Sequence, residues 1–218
     1  MDCIAHRGFA GVAPENTLPA VREASRRADG VEVDVRRCGS GELVVCHDDT
    51  VDRTTDGTGA VAALSAGELG VLSVEGSDAG VPTLAAVLDA VPPGVTLHAE
   101  LKERGLAGDL TSLAAGADCP VVVSSFDDAA LAAVEGFPTA FLTAEAGGAV
   151  DRASALGCSA VHPHLDACDD GLVSAAHEAG LAVNAWTVTG AGETERLRRL
   201  GADGVITDFP DCCLPVRG

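Results

Sequence analysis

Lysine is nearly missing from this chain. Of its 14 Lys and Arg residues only Lys102 is lysine, against 33 Asp and Glu, and the formal charge is −19. A field of that sign repels polyanions, which argues against nucleic acid or an anionic membrane as partner, while a small phosphate ester can still enter a locally positive site. Heavy use of Asp and Glu with almost no Lys resembles proteins of salt-loaded cytoplasms, where ions screen charge over about 3 Å at 1 M. Halophilic character is therefore expected, with a merely acidic, high-GC proteome as the alternative. No apolar run reaches the roughly 18 residues of a membrane span. Nor is there a basic-then-apolar leader, since Met1-Asp2-Cys3-Ile4 enters directly into a short strand. A soluble, cytoplasmic protein without stable membrane insertion is expected. The 8 cysteines, at 3, 38, 46, 119, 158, 168, 212 and 213, form no metal-type CxxC pair. They read as mostly reduced, buried thiols, with the adjacent Cys212-Cys213 as the one pair open to oxidation.

What is present is an alternation of short β-rich runs with Ala/Leu-rich helical runs. Strands are expected over 3–6, 31–36, 95–101, 121–124, 140–143, 160–162, 182–186 and 204–207, and helices over 18–28, 83–91, 106–116, 128–135, 147–156, 170–179 and 192–200. Gly180 and Gly201 stand where helix stops belong, and Thr17 is placed to cap the first helix. Eight such units imply an α/β fold, a TIM (β/α)8 barrel closed by parallel strands, with the last helix short or missing. The 218 residues suit a single domain over 1–218. An excess of chain at 37–82, between the second strand and its helix, carries the apolar run Leu43-Val44-Val45-Cys46 and a small helical stretch from Ser65 to Leu69. It reads as a cap-like insertion over the barrel mouth.

The chemistry begins where the first strand ends, at His6-Arg7-Gly8-Phe9-Ala10-Gly11-Val12-Ala13-Pro14-Glu15-Asn16-Thr17. A proton carrier titrating near neutrality stands beside a planar cationic fork suited to phosphate oxygens. Further stretches follow in order: Val31-Glu32-Val33-Asp34-Val35, the run from His47 to Gly59, Ala99-Glu100-Leu101-Lys102, Ala185-Trp186-Thr187-Val188, and Gly204 to Pro210. This ordered set resembles the glycerophosphodiester phosphodiesterase family over nearly the whole chain. One departure is Thr189 after Trp186-Thr187-Val188, where the family often has Asn.

Strand residues two apart face the same side, so Glu32 and Asp34 point together, as do Glu100 and Lys102, while Val31, Val33 and Val35 face the helices. Like charges about 4 Å apart repel by about 4 kcal/mol at an effective dielectric near 20, so three converging carboxylates need a cation or a shared proton. All-oxygen ligands select a hard divalent ion, Mg²⁺ or Ca²⁺. The alternative is a buried ion-pair network of the same acids with Lys102 and Arg7. The resemblance implies His6 and His47 as the acid and base, without saying which is which, and Arg7 as the phosphate clamp. Asn16 reads as a loop support or a phosphate donor, and Lys102 as a partial counter-charge near substrate. Trp186, the only tryptophan, reads as an apolar wall beside glycerol. Ser125-Phe126 is expected to shape the pocket, His162-Pro163-His164 to edge it, and His98 to lie in the barrel interior.

The implied activity is metal-dependent hydrolysis of glycerophosphodiesters to sn-glycerol 3-phosphate and an alcohol, in lipid and glycerol metabolism. The rival enzyme reading is a related phosphodiesterase acting on lysophospholipids or glycerophosphoinositol. The non-enzyme rival is a barrel that binds a divalent ion or phosphate without turnover. The oligomeric state stays open, a homo-oligomer included.

Overall fold

A computed structural model describes residues 1–213. Eight parallel strands close on themselves: β1 (Asp2–Ala5), β2 (Gly30–Arg37), β4 (Thr96–Leu101), β5 (Val121–Ser125), β6 (Thr139–Thr143), β7 (Ala160–Pro163), β8 (Ala182–Val188) and β9 (Gly204–Thr207). Closure is made at β1, which pairs with β2 through Ile4↔Gly30 on one side and with β9 through Asp2↔Gly204 to Ala5↔Thr207 on the other. The extra strand β3 (Leu43–Val45) runs antiparallel to the end of β2, with Val35 opposite Val45. The helices are α1 (Leu18–Ala24), α2 (Ala66–Leu69), α3 (Leu84–Ala90), α4 (Ala107–Ala114), α5 (Asp128–Ala132), α6 (Ala149–Ala155), α7 (Asp170–Glu178) and α8 (Ala191–Leu200). Among the described residues no helix is long and apolar enough to cross a membrane.

The alternation in Gly30–Arg37 explains the layering. Val31, Val33 and Val35 are fully buried against the helices, packed with Leu84, Leu97, Leu101 and Val121, and each contributes about 1.5–3 kcal/mol of apolar burial. The intervening Glu32 and Asp34 are thereby forced into the barrel. Local signals set the helix ends: the Thr17 hydroxyl accepts from the Ala20 amide at 3.4 Å to start α1, and Gly201, at φ 87°, ends α8 in the left-handed conformation that glycine adopts without strain.

The stretch 37–82 has an apolar cluster of its own, including Cys46, Val51, Val61, Leu69 and Val81. Its short helix α2 starts on a reciprocal cap, the Ser65 hydroxyl accepting from the Glu68 amide at 3.2 Å and the Glu68 carboxylate from the Ser65 amide at 2.8 Å. After β9 the described residues continue in a single 3-10 turn, Pro210–Cys212.

The cysteines depart from the reduced set expected. Cys3 and Cys213 form a disulfide with Cα atoms 5.3 Å apart, and Cys212, the neighbour of Cys213, stays a free buried thiol, as do five others. Cys213 bonds Cys3 and not its neighbour, because barrel closure brings it onto the outward face of β1 across a separation of 210 residues.

Candidate active site

The loop after β1 turns sharply to present two side chains. Arg7, Gly8 and Phe9 all take positive φ, at 50°, 78° and 68°. Only glycine fits the middle position, because a Cβ on Gly8 would lie 2.9 Å from that of Ala20 on α1. The loop packs on the one after β9, with the Gly11 amide donating to the Asp208 carbonyl at 3.0 Å. That contact holds the Asp208 carboxylate against His6, with Oδ1 2.6 Å from the ring Nδ1. Nε2 is left for the pocket, 3.9 Å from Glu32.

His47 is built the same way from a different loop. β3 delivers it to the mouth, Arg36 anchors its carbonyl from Nε at 3.0 Å and Nη2 at 2.8 Å, and Asp48 Oδ1 lies 2.6 Å from Nδ1. Arg53 holds the other oxygen of Asp48 and also spans both oxygens of Glu15, at 2.7 and 3.1 Å. Glu15 accepts from Arg7 Nη1 as well, at 3.2 Å. The insertion is thus tied to the first loop through a buried carboxylate. The hydrogen bond from Arg53 pulls the Asp48 carboxyl down to about 2, so it stays charged behind its histidine throughout the neutral range.

Beneath the histidines, Glu32, Asp34 and Glu100 each bring an oxygen within 4.8 Å of the others, and all three are buried. Burial raises the Glu32 carboxyl, Asp34 raises it further, and together they push it up to about 8. Burial also pushes Asp34 upward, but Arg7 and Lys102 outweigh it and hold that carboxyl below its usual range. Glu100 is raised by burial and by Asp34, although Lys102 Nζ stands 2.7 Å from it. The cations present therefore leave the cluster under-compensated. Glu32 Oε1 is buried with no hydrogen-bond partner, and Asp34 Oδ1 has only Lys102 at 3.4 Å. Carboxylate oxygens converging from two strands, two of them on β2 orphaned, with no nitrogen or sulfur donor in the triad, fit a hard divalent cation such as Mg²⁺ or Ca²⁺. An ion-pair network alone would leave those oxygens without partners.

The sequence-derived candidates come together with distinct placements. His6, Arg7, Glu32, His47, Glu100, Lys102 and Trp186 line one pocket of about 240 Å³. Asp34 sits just below it, fully buried. Asn16 is turned onto Asp34, its Nδ2 donating to Oδ2 at 2.8 Å, so its amide supports the carboxylate cluster and is not free for phosphate. Trp186 donates from Nε1 to the His162 carbonyl at 2.8 Å and meets Phe126 edge-on at 5.5 Å. The Ser-Phe pair is shifted by one: Ser124 and Phe126 line the pocket, whereas the Ser125 hydroxyl donates to the Leu101 carbonyl at 2.8 Å, because alternate strand residues face opposite sides. Thr189, the departure after Val188, bonds Glu193 and does not line the pocket.

Sequence reasoning gave no role to Asp48, Arg53, Glu15 or Asp208, although all lie in the stretches that carried the resemblance. Their acidic or basic character beside the histidine motifs was the available signal. A larger cleft of about 590 Å³, between α1 and the insertion, contains neither of the two histidines nor any of the three carboxylates and is mainly apolar.

Relatives bear on this site. The model of the Glycerophosphoryl diester phosphodiesterase family matches residues 6–212. YhdW of Bacillus subtilis is 33% identical over 97% of this chain and 96% of its own. A glycerophosphodiester phosphodiesterase of Caldanaerobacter subterraneus is 30% identical over 95% of this chain and 94% of its own. Among solved structures, a phosphodiesterase of Oleispira antarctica in complex with the product sn-glycerol-3-phosphate superposes with a TM-score of 0.90 at 30% identity, over 96% of this chain and 94% of that one.

Proposed function

Because the chain belongs to the glycerophosphoryl diester phosphodiesterase family, we propose that its pocket cleaves glycerophosphodiesters to sn-glycerol 3-phosphate and an alcohol, with His6 and His47 as the two proton carriers. The observation that carries this reading is the pair of imidazoles, each backed by its own carboxylate at 2.6 Å, facing the acidic triad across one pocket. A carboxylate on Nδ1 fixes the tautomer and turns Nε2 toward the substrate. One histidine takes the proton of the attacking oxygen, the other returns a proton to the departing alkoxide, and the P–O bond to the alcohol breaks as the bond to the incoming oxygen forms.

Arg7 supplies positive charge to the phosphate. Its Nη1 is committed to Glu15 and its Nε lies beside Asp34 at 3.2 Å, which leaves Nη2 for a non-bridging oxygen. Lys102 steadies Glu100 and adds to the same field. Glu32, Asp34 and Glu100 are the residues to hold a divalent cation, Mg²⁺ or Ca²⁺, whose contribution when bound is Lewis-acid polarisation of the phosphate and a grip on glycerol hydroxyls. Residues 37–82 serve as a cap on one barrel domain, delivering His47.

The test is release of sn-glycerol 3-phosphate from glycerophosphocholine, with Mg²⁺ or Ca²⁺ and with chelator, for wild type, His6→Ala, His47→Ala and Glu100→Gln. Metal-dependent release lost in all three variants is the expected result. Tight ion binding with no release from any diester would favour a barrel that binds without turnover. A diester lacking the adjoining glycerol hydroxyl distinguishes the two routes: direct hydrolysis still cleaves it, whereas attack through a cyclic phosphate cannot.

A further inference from the structure

Next to the catalytic pocket, at the ends of β5 and β6, a second cleft of about 300 Å³ opens, and the two share Phe126 and Leu142 as a common wall.

Its charged groups are not equivalent. Arg152 is spent on neighbours: Nη2 meets Asp128 at 2.7 Å and the guanidinium lies 4.7 Å over the Phe141 ring. Glu145 has no ion-pair partner among the described residues. Its backbone is fixed at the rim, with its amide donating to the Thr143 hydroxyl at 3.1 Å and its carbonyl accepting from that hydroxyl at 2.7 Å. The neighbouring pairs Arg104–Asp127 and Arg152–Asp128 are each neutral, so the Glu145 carboxylate sets the sign of the cleft.

The second observation is aromatic. Phe126 is 45% exposed in a chain that is only 3% aromatic, and its contact with Trp186 is edge-on at 90°. An open ring and an unpaired carboxylate lining one cleft suit an organic cation, which is attracted by the ring quadrupole and by the negative charge.

Resting on the phosphodiesterase reading above, we propose that Phe126 and Glu145 form a leaving-group subsite that selects diesters of cationic amino alcohols, primary or quaternary ammonium, over those of neutral alcohols. The net charge of −19 works in the same direction, because it repels the net-anionic diester of a neutral alcohol and not the zwitterion.

The test compares kcat/KM for glycerophosphocholine and glycerophosphoethanolamine with that for glycerophosphoglycerol, at one fixed ionic strength, by release of sn-glycerol 3-phosphate. Wild type is expected to prefer the cationic diesters by roughly tenfold, and Phe126→Leu and Glu145→Gln each to lower that ratio by about threefold. Glu145→Lys should bring the preference to one or below. Circular dichroism confirms that each variant is folded. Turnover of the neutral diester with no cationic preference in wild type, or a ratio that none of the variants moves, overturns the subsite and leaves the phosphodiesterase reading standing. No release from any of the three diesters overturns both.

Discussion

Acid should loosen the barrel floor before it reaches the carboxylates. His98 on β4 and His162 on β7 are buried inside the barrel with ring centroids 5.8 Å apart. His98 Nδ1 has no hydrogen-bond partner, and His162 has only the Asn184 amide at 3.1 Å. Burial lowers His98 to about 4, and burial with the neighbouring His98 lowers His162 to about 3. In the unfolded chain both return to the ordinary 6.5. Between those limits the unfolded state binds more protons, so stability falls as pH drops below about 6.5. At pH 5 the gap is about 1.5 pH units for each ring, about 2 kcal/mol per histidine relative to pH 8. Their mutual contact makes the sum less than additive.

The assay is the urea-unfolding free energy at pH 8 and pH 5 for wild type, His98→Asn and His162→Asn. Each variant loses stability at pH 8 and should recover about 2 kcal/mol relative to wild type at pH 5. Glu32 and His6, both raised, carry the opposite slope, since what they contribute is present at low pH and is lost as pH rises. They remain in every protein compared and cancel in the difference. Identical pH slopes in wild type and both variants would refute the reasoning, because the rings could then not be held neutral by burial.

The carboxylates behind the two histidines proposed as proton carriers should matter through turnover more than affinity. Asp48→Asn and Asp208→Asn are each expected to lower kcat by about 10²-fold with KM little changed, read from initial rates over a substrate series. Removing Arg53, which orients Asp48 and clamps Glu15, should lower kcat about tenfold, with Arg53→Lys recovering less than half of that because one ammonium cannot span both acids. With 33 acidic side chains against 14 basic ones, the melting temperature should rise by several degrees between dilute buffer and molar potassium chloride; an unchanged value would rule out the halophilic reading. Denatured, unreduced protein should show 6 free thiols, and Cys3→Ser should lower unfolding free energy by about 2–4 kcal/mol in the absence of reductant, with no difference in its presence.

The parts of this molecule that were legible in sequence are those governed by short-range periodicity. The alternation Val31-Glu32-Val33-Asp34-Val35 dictates which side chains enter the barrel, and strand and helix positions follow to within a few residues. The acidic triad follows from the same rule applied to two strands. What was not legible depends on closure and on which neighbour a side chain chooses. Asp208 reaches His6 across 202 residues, and Cys3 takes Cys213 and not the adjacent pair, because the barrel joins its ends. Asp48 adjoins His47, yet whether neighbouring side chains meet depends on the turn that Arg36 imposes on the His47 carbonyl. Even the Ser124–Ser125 choice is a matter of register, where one step along a strand exchanges inside for outside.

The pairing of β1 with β9 has a consequence for how the protein comes into being. Synthesis proceeds from the first residue onward, and strands β2 and β4 to β8 can find neighbours as they emerge. His6 has no Asp208 until 202 further residues have been translated. Contacts of such long sequence separation are slow to form, since the loop entropy is lost before the contact stabilises anything. A nascent chain halted before Thr207 therefore holds most of its pocket residues and an unsealed barrel, and the hydrolytic apparatus is completed in one late event rather than by degrees.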